Sequence, residues 1–393
     1  MQWASTVSEA ADLESAVGRA ALAIQEQLRG EPPDLALVFA ADEYRQGFPR
    51  LPELLRPRLG SPALIGCSAG GVIGGGRELE ARPGLAVMAA LLPQVQIRPF
   101  HLPPAVHGDS GLKALLGLEP QAAVQPDFVL LGDPFSSDAE SLLPALDREF
   151  PASHKIGGLA SGTRKPGDTH LFLNDQVLHS GMVGVALWGN LQLETVVAQG
   201  CRAVGEPLFV TRSDGNRIYQ LDGKAPTAVL GQLFEALSPE DRSLARHSLF
   251  LGIALSRPAT RLQQGDFLIR NIIGLEQESG ALVVGAEPRV SSVVQFHLRD
   301  AHASRADIET LLGRRSQAAQ PERLKGALLF SCLGRGIDLY GEPDHDSLAF
   351  RRHLGEVPLA GFFCNGEIGP VQGMTSLHGY TSAFGLFSAK DPR

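Results

Sequence analysis

The stretch that decides the fold lies near the end of the 393-residue chain and reads Gly361-Phe362-Phe363-Cys364-Asn365-Gly366-Glu367-Ile368-Gly369-Pro370. It follows an apolar run at 327–330, a polar loop and a helical segment, and it leads into a second apolar run at 381–387. Glycine at the end of an apolar run permits unusual backbone angles and lets a ligand or a neighbouring backbone come close. The pattern predicts a strand-helix-strand unit that ends in a glycine-bearing turn.

Two earlier stretches follow the same plan. The first leads from an apolar run at 35–39 to Gly66-Cys67-Ser68-Ala69-Gly70-Gly71, and the second from a run at 128–131 to Ile156-Gly157-Gly158-Leu159-Ala160-Ser161-Gly162. In each copy about 30 residues separate the start of the run from the glycine, which is the size of one supersecondary repeat. We therefore predict that the turns at Gly66, Gly157 and Gly361 occupy equivalent places in three units.

A single glycine turn is usually no more than a tight turn in the backbone. Three turns in register favour a different interpretation, because units that pack together would bring their turns to one rim. Loops at such a rim commonly carry small-molecule sites. The residues that would converge there are Cys67, Ser68, Ser161, Asn365 and Glu367.

The middle of the chain changes character at Gly205-Glu206-Pro207. Beyond this point the sequence predicts a hairpin from 208–211 and 218–221, a helix at 226–237, and four strands at 249–255, 266–273, 281–284 and 292–298. The fold class that we predict is α/β, with two modules, 1–203 and 204–393. Each module would consist of repeated strand-helix-strand units, with mixed sheets covered by helices.

Composition limits the classes of partner. The net charge is −8, and no block of lysine or arginine exceeds a pair, so nucleic acid is not an expected partner. The N-terminus lacks the basic and apolar regions of a signal peptide, and no apolar run approaches the ~20 residues of a membrane span. The four cysteines are too scattered for a disulfide framework, which favours a reducing compartment. We expect a cytoplasmic protein that does not enter the membrane.

Cys332-Leu333-Gly334-Arg335-Gly336 follows the apolar run at 327–330, so a thiol and a guanidinium emerge together from one strand end. A nearby arginine favours a thiolate and offers two parallel hydrogen bonds to a carboxylate or phosphate. The alternatives are a buried, inert cysteine and a structural salt bridge from Arg335 to Asp338, Glu342 or Glu367. We expect Arg335 and Glu367 to lie at the rim of one concave site, where Glu367 would bind a ligand ammonium.

The sequence contains no Gly-x-Ser-x-Gly elbow, no phosphate-binding Gly-x-x-x-x-Gly-Lys-Ser/Thr loop and no His-Glu-x-x-His motif. No catalytic residue and no metal ligand is therefore predicted. Arg270 and Asn271, which leave a strand in the second half, join the candidates for ligand binding. The full candidate set is Cys67, Ser68, Gly70, Ser161, Arg270, Asn271, Cys332, Arg335, Asn365, Gly366 and Glu367.

Several of these motifs together resemble the FIST family. The C-terminal module of that family is similar to Phe330-Ser331-Cys332-x-x-Arg335-Gly336, to the stretch 361–370, and to Leu377-His378-Gly379-Tyr380-Thr381; its N-terminal module is similar to Ile65-Gly66-Cys67-Ser68-Ala69-Gly70-Gly71 and Arg77-Glu78-Leu79-Glu80. The resemblance implies an intracellular sensory protein that binds a small ligand, for which amino acids or their derivatives are proposed. Some bacterial members are haem-binding sensors of nitric oxide that regulate a separate histidine kinase.

Three functions follow as hypotheses. The first is a non-enzymatic sensor of an amino acid or related small organic ligand, in which Arg335 holds the carboxylate and Glu367 the ammonium. The second is a haem or other tetrapyrrole sensor with a His or Cys axial ligand. The third is an enzyme with Cys332 or Cys67 as nucleophile, which needs a base that the sequence does not reveal. The chain carries no kinase segment, so a separate signalling protein such as a histidine kinase, or self-association into a homo-oligomer, would carry the output.

Overall fold

The computed structural model describes residues 1–104, 112–117, 124–255, 262, 265–318 and 323–390. The chain divides into two compact units. The first, here the repeat unit, comprises Met1–Val197, Ile308–Leu377 and Thr381–Arg393, and the second, here the barrel unit, comprises Ala198–Asp307 and His378–Tyr380. The third repeat, which begins at 327, thus belongs to the same compact unit as the first two repeats, although the barrel unit separates them in sequence. The division of the sequence into the two consecutive modules 1–203 and 204–393 stays a prediction.

Apolar runs form the central strands of the first part of the chain. Its strands are Gln2–Ser8 (β1), Leu35–Ala41 (β2), Ala63–Ala69 (β3), Gly71–Gly74 (β4), Arg77–Glu80 (β5), Leu85–Leu91 (β6), Val95–Leu102 (β7), Asp127–Gly132 (β8), Lys155–Leu159 (β9), Leu171–Leu173 (β10), Gln176–Leu178 (β11), Met182–Gly189 (β12) and Gln192–Gln199 (β13). Its helices are Leu13–Gln27 (α1), the 3-10 helix Asp42–Arg50, Leu51–Leu59 (α2), Leu112–Leu115 (α3) and Ala139–Glu149 (α4).

The middle of the chain contains the strands Cys201–Asp214 (β14), Arg217–Leu221 (β15), Leu249–Ala254 (β16), Phe267–Leu275 (β17), Leu282–Val284 (β18) and Val293–Arg299 (β19), and the helices Pro226–Ala236 (α5), Pro239–Ser248 (α6) and Ala301–Ala318 (α7). The last part contains the strands Leu324–Cys332 (β20), Leu359–Cys364 (β21), Glu367–Val371 (β22), Met374–His378 (β23) and Thr381–Ser388 (β24), and the helices Ile337–Tyr340 (α8) and His345–Leu354 (α9). The mixture of helices and mixed sheets confirms the α/β class.

Three six-stranded sheets make up the repeat unit, with strand orders β1-β6-β2-β3-β10-β11, β23-β22-β9-β8-β12-β7 and β13-β24-β20-β21-β4-β5. Each sheet is built around one parallel pair, namely β2 with β3, β8 with β9, and β20 with β21. Helices connect the two strands of each pair, as a parallel connection requires. An antiparallel strand, β6, β12 or β24, returns beside each pair. The three predicted strand-helix-strand units are therefore confirmed.

Each repeat sends its hairpin to the sheet of another repeat. The hairpin β4-β5 follows the first parallel pair but pairs with β21 of the third. The hairpin β10-β11 follows the second pair and pairs with β3 of the first, and β22-β23 follows the third pair and pairs with β9 of the second. We call this arrangement the hairpin exchange. It interlocks the three repeats in a closed cycle.

The three glycines occupy equivalent positions, but these positions are within strands and not in turns. Gly66 lies opposite Val38, Gly157 opposite Leu130, and Gly361 opposite Leu329, each on the second strand of a parallel pair. A Cβ atom at any of the three would overlap the carbonyl oxygen of the opposite residue. Glycine is thus required here because two backbones approach each other closely. A tight turn also favours glycine, so the sequence alone does not distinguish the two situations.

We expect Gly361→Ala to lower the free energy of unfolding by about 1–3 kcal/mol, because the added methyl group forces the parallel pair apart. Gly18→Ala is the matched control, since Gly18 lies in α1 and a Cβ there meets no atom within 4 Å. The control should gain up to about 1 kcal/mol from its better helix propensity. Urea denaturation compares the two variants. Equal stability of both variants would contradict the close approach.

The repeat unit buries its apolar side chains in the space that the three sheets share and beneath the helices that cover them. Phe39 of the first sheet stacks on Phe362 of the third at 5.1 Å, and Phe330 meets Phe362 edge to face at 5.7 Å. Aromatic pairs of this kind add specific geometry to the area that they bury. Since Phe362 lies next to Gly361, this packing holds the ends of β2, β20 and β21 in fixed positions.

The barrel unit contains a closed barrel with strand order β14-β15-β18-β17-β16-β19. Its four predicted strands and its predicted hairpin are present, with β14 and β15 joined through the turn after Asp214. Inward-facing side chains such as Val210, Leu251 and Phe296 fill its core. The closure of the strands into a barrel corrects our expectation of repeated strand-helix-strand units in this half, because strand signals do not specify which strands pair.

Candidate functional site

The ends of β3, β9 and β21 meet at one place in the repeat unit, which we call the strand-end junction (68–70, 160–162 and 363–366). Ser161 lies at its centre and is fully buried. Its hydroxyl donates a hydrogen bond to the carbonyl oxygen of Phe363 and accepts one from the backbone nitrogen of Gly70 at 2.8 Å. Its backbone nitrogen donates to the Ser68 carbonyl oxygen at 3.2 Å. One serine thus connects all three repeats.

Further hydrogen bonds close the junction. The Asn365 side-chain nitrogen donates to the Ala160 carbonyl oxygen at 2.9 Å, and the Gly366 carbonyl oxygen accepts from the backbone nitrogen of Leu159 at 2.8 Å. The Ser68 hydroxyl accepts from the backbone nitrogen of His170 at 3.2 Å. Ser68, Ser161 and Asn365, three of the residues expected to converge, therefore lie at one junction, where their side chains bind backbone groups of the neighbouring segments. Their contact with a ligand stays a prediction.

Arg335 is fully buried, which corrects the expectation that it emerges at a rim. Its Nε donates to Oδ2 of Asp346 at 3.0 Å, and its Nη2 donates to Oδ1 of Asp346 at 3.2 Å and to the Tyr340 hydroxyl. Burial by itself lowers the pKa of Arg335, but the charge of Asp346 and the Tyr340 hydroxyl raise it above its usual value. The guanidinium therefore stays charged, and its partner is not one of the three carboxylates named from the sequence.

Asp346 is buried by α9 and accepts hydrogen bonds from several side chains besides Arg335. The donors include the hydroxyl of Ser382, the hydroxyl of Ser331 at 3.2 Å and Nδ1 of His345 at 2.9 Å. Burial opposes ionisation of Asp346, but the Arg335 charge and these hydrogen bonds hold the pKa of the carboxyl well below its usual range. Arg335 and Asp346 thus form a buried ion pair through Nε and Nη2 of the guanidinium, and a contact of Arg335 with a ligand carboxylate stays a prediction.

Glu78 lies beside this ion pair because the hairpin exchange places β5 next to the third repeat. It is almost fully buried, and its Oε1 accepts a hydrogen bond from the backbone nitrogen of Ser347 at 2.7 Å. Burial, together with the negative charge of Asp346, raises the pKa of Glu78 to about 8. The carboxyl therefore carries a proton at neutral pH.

Glu367 is also fully buried, and this again corrects the predicted rim position. Its Oε2 accepts hydrogen bonds from the backbone nitrogen and the hydroxyl of Thr381, at 3.1 and 2.8 Å. Burial raises the pKa of Glu367 to about 8, although Thr381 and the more distant Arg335 charge act in the opposite direction. Arg335 forms its described ion pair with Asp346. The alternative of a salt bridge between Arg335 and Glu367 is therefore replaced by this longer-range attraction.

Two candidates lie in the barrel unit. Arg270 donates from Nη1 to the Ile269 carbonyl oxygen at 3.1 Å, and the Asn271 side-chain oxygen accepts from the Tyr380 hydroxyl at 2.6 Å. Both residues lie on β17. The structure therefore assigns them to a different compact unit from the strand-end junction, and their role in binding stays a prediction.

A cavity of about 590 Å³ lies between the start of α1 and the 3-10 helix that follows β2. Arg45 lines it, with Nη2 at 2.7 Å from Oδ1 of Asp42 and Nη1 at 3.1 Å from Oδ2 of Asp168. The three side chains are 34%, 34% and 45% exposed. Nη2 of Arg45 also donates to the Gly162 carbonyl oxygen at 3.4 Å, which connects the cavity to the strand-end junction.

The sequence motifs did not indicate a role for Asp42, Arg45 or Asp346. Asp42-Glu43-Tyr44-Arg45 follows the apolar run of the first repeat, as Leu333-Gly334-Arg335 follows that of the third. Comparison of the equivalent loops could therefore have found Arg45. In the part of the chain that the structure describes, no group of three His, Cys, Asp or Glu side chains is arranged to hold a metal ion. Nor does any helix in that part have the length and apolar character that crossing a membrane requires.

Models of known protein families match almost the entire chain. The model of the FIST N domain matches residues 34–224, and that of the FIST C domain matches residues 228–370. The chain belongs to the FIST family. FIST domains are sensory domains of signal-transduction proteins. We therefore describe this FIST protein as a sensory protein.

Similar FIST relatives include uncharacterized mycobacterial proteins. One from Mycobacterium tuberculosis strain H37Rv is 38% identical over 381 residues, covering 97% of this chain and 98% of the relative. One from Mycobacterium bovis is 35% identical over 376 residues, covering 96% of each chain. A solved structure described as a cyanuric acid hydrolase aligns with 99% of this chain and 100% of its own, at 8% identity and a TM-score of 0.37. That similarity is too low to support any conclusion.

Proposed function

We propose that this FIST protein is a sensor that binds an amino acid or a related small organic ligand in the cavity beside Arg45. The observation that carries the proposal is the partly exposed Arg45, placed between two carboxylates at a cavity of about 590 Å³. Cavities of about 300–1,000 Å³ commonly hold small ligands. A positive group beside negative groups matches the two charges of an amino acid, so Arg45 would bind the carboxylate and Asp42 the ammonium.

Arg45 and Asp42 are partly exposed, so a ligand can reach them, whereas Arg335 and Glu367 are fully buried. The hydrogen bond from Arg45 to Gly162 gives ligand binding a route to the protein interior, because a ligand carboxylate would compete for the same guanidinium. Loss of the hydrogen bond from Arg45 to the Gly162 carbonyl oxygen would then weaken the contacts of the neighbouring Ser161 in the strand-end junction. A separate signalling protein would read this change at the surface of the repeat unit.

Thermal unfolding in the presence of individual amino acids tests the proposal. We expect at least one amino acid to raise the unfolding temperature with saturation, since a ligand at about 100 times its Kd stabilises a protein by about 2.7 kcal/mol. Arg45→Met should weaken that ligand at least about tenfold, because a charge-assisted contact to its carboxylate is lost. Native mass spectrometry measures the same complex independently.

Arg77→Met is the matched control, because Arg77 is a partly exposed arginine of the repeat unit that pairs with Glu9 outside the cavity. Its ligand affinity should equal that of the unmodified protein. If Arg45→Met and Arg77→Met bind equally well, or if no amino acid stabilises the protein, the cavity is not the site that we propose.

A further inference from the structure

Cys332, Cys364 and Glu367 form a group at the ends of β20 and β21 and the start of β22, which lies outside the cavity of Arg45. Cys332 and Cys364 are register partners on the parallel strands β20 and β21. Neighbouring strands lie about 4.8 Å apart, which is within the Cα separation of about 4.4–6.8 Å that a disulfide spans. Register partners on parallel strands also direct their side chains to the same face of a sheet. The two sulfur atoms can therefore be joined without rearrangement of the strands.

The environments of the two thiols differ. Cys332 is partly exposed, whereas Cys364 is fully buried. The Cys332 sulfur accepts a hydrogen bond from the backbone nitrogen of Gly334 at 3.5 Å and interacts with the positive charge of Arg335. Both interactions stabilise a thiolate. Burial raises the pKa of Cys364 well above its usual value, so Cys332 is the thiol of the two that an external reagent meets first.

Glu367 carries a proton at neutral pH and provides a base for Cys332 once it ionises, near pH 8. In the described part of the chain, Oε1 of Glu367 lacks a hydrogen-bond partner of good geometry, although the side chain is fully buried. The neighbouring donor is the Cys332 thiol, which acts on the Glu367 carboxyl as a hydrogen-bond donor. A nucleophile in contact with a buried proton acceptor is the arrangement that activates thiols in proteins.

We propose that Cys332 is a peroxide-reactive thiol, that Glu367 accepts its proton, and that Cys364 resolves the oxidised product as a Cys332–Cys364 disulfide. In the first step the Cys332 sulfur attacks one peroxide oxygen and the O–O bond breaks. The proton taken by Glu367 passes to the leaving oxygen, which departs as water when the oxidant is hydrogen peroxide, and Cys332 becomes a sulfenic acid. In the second step the Cys364 sulfur displaces the hydroxyl of the sulfenic acid, which leaves with the Cys364 proton as a second water.

A small oxidant such as a peroxide can reach Cys332, because this side chain is partly exposed. A disulfide would also change the contacts of Cys364, whose sulfur packs so closely on Gly158 that a Cβ atom there would overlap it. Gly158 pairs with Glu367 across β9 and β22. Oxidation would thus change the packing of the strand-end junction on the β20 side of β21, which is opposite to the hairpin β4-β5. This change would not require ligand binding beside Arg45.

Mass spectrometry of the protein after treatment with hydrogen peroxide tests the inference. The unmodified protein should lose two hydrogen atoms, and its proteolytic fragments should show Cys332 linked to Cys364. The Cys364→Ser variant should instead gain one oxygen atom on Cys332, in a form that dimedone traps. Cys332→Ser should do neither. Cys67→Ser is the matched control, because Cys67 is a buried cysteine of the same core and should leave the disulfide unchanged.

Glu367→Gln keeps an oxygen that can accept the Thr381 hydrogen bonds but removes the base. Oxidation of Cys332 in this variant should be at least about tenfold slower, in keeping with the usual contribution of a general base. The unmodified protein offers a second measurement, since its rate of Cys332 oxidation should rise with pH as Glu367 ionises. A disulfide between other cysteines, unchanged thiols after treatment, or a Cys332 rate that neither the pH nor Glu367→Gln alters would overturn the proposal.

Discussion

Raising the pH from about 6.5 to 8.5 should destabilise the repeat unit by roughly 2–4 kcal/mol. Glu78 and Glu367 have pKa values of about 8 in the folded protein, compared with 4.5 for an ordinary glutamate. The folded state therefore keeps two protons that the unfolded state has already lost. Stability falls with pH wherever the folded state binds more protons, by about 1.4 kcal/mol per pH unit for each such group. The decrease begins above pH 4.5 and levels off above pH 8.

Asp346 and His297 act at different pH values from the two glutamates. The pKa of Asp346 is held low, so its contribution is lost only in acid, below its ordinary value of 3.8. Burial lowers the pKa of His297 in the barrel unit to about 4, so its effect has the opposite sign and lies below pH 6.5. Chemical denaturation between pH 6.5 and 8.5 reports the two glutamates together with His154, because the hydrogen bond to Asp127 raises the pKa of His154 above 6.5. The variants at the two glutamates separate their share from that of the histidine. Glu78→Gln and Glu367→Gln should each flatten the pH dependence, and an unmodified protein with constant stability across this range would contradict the two protonated carboxyls.

Breaking the buried ion pair should have the largest effect of any single substitution. Arg335→Met leaves Asp346 charged and buried, and Asp346→Asn leaves Arg335 charged and buried, each at a cost of about 3–5 kcal/mol. The variant with both substitutions should recover part of that loss, because no isolated charge remains. Denaturation of the two single variants and the double variant measures the coupling free energy directly.

The pair of Arg77 and Glu9 provides the comparison, because these side chains are 50% and 34% exposed. Removing that pair should change stability by no more than about 1 kcal/mol. If Arg335→Met is as stable as the Arg77→Met control, then Arg335 does not stabilise the fold, and a direct role in ligand binding would have to be considered again.

The sequence predicted the repeats well, because apolar runs and glycines report local structure. The equivalence of Gly66, Gly157 and Gly361 followed from their spacing. The meeting of the following segments was also expected, but at a rim, whereas Ser161 is buried. The positions of Arg335 and Glu367 could not be predicted in the same way. Whether a charged side chain is buried depends on its partner, and Asp346 lies on a helix whose packing against β20 is a tertiary property.

The barrel and the hairpin exchange were missed for a related reason. Each strand of the barrel unit was recognisable from its alternating side chains, but the order in which strands pair is not encoded in any one segment. Similarly, β4 and β5 look like an ordinary hairpin in sequence, and nothing local shows that they join β21. Arg45 carries no such signal in sequence, because its loop precedes the glycine that marks the repeat.

The hairpin exchange has a consequence for the order in which a newly made chain can fold on the ribosome. The first sheet has all its strands once residue 178 has been synthesised, but the second needs β22 and β23, and the third needs strands that reach residue 388. The hairpin β4-β5 must therefore wait for β21, which is made much later because it lies far along the chain. Such late, long-range pairing slows folding and leaves apolar strand edges uncovered in the meantime. Chains that stop early should be substrates for chaperones and proteases, so truncated forms of this protein should not accumulate.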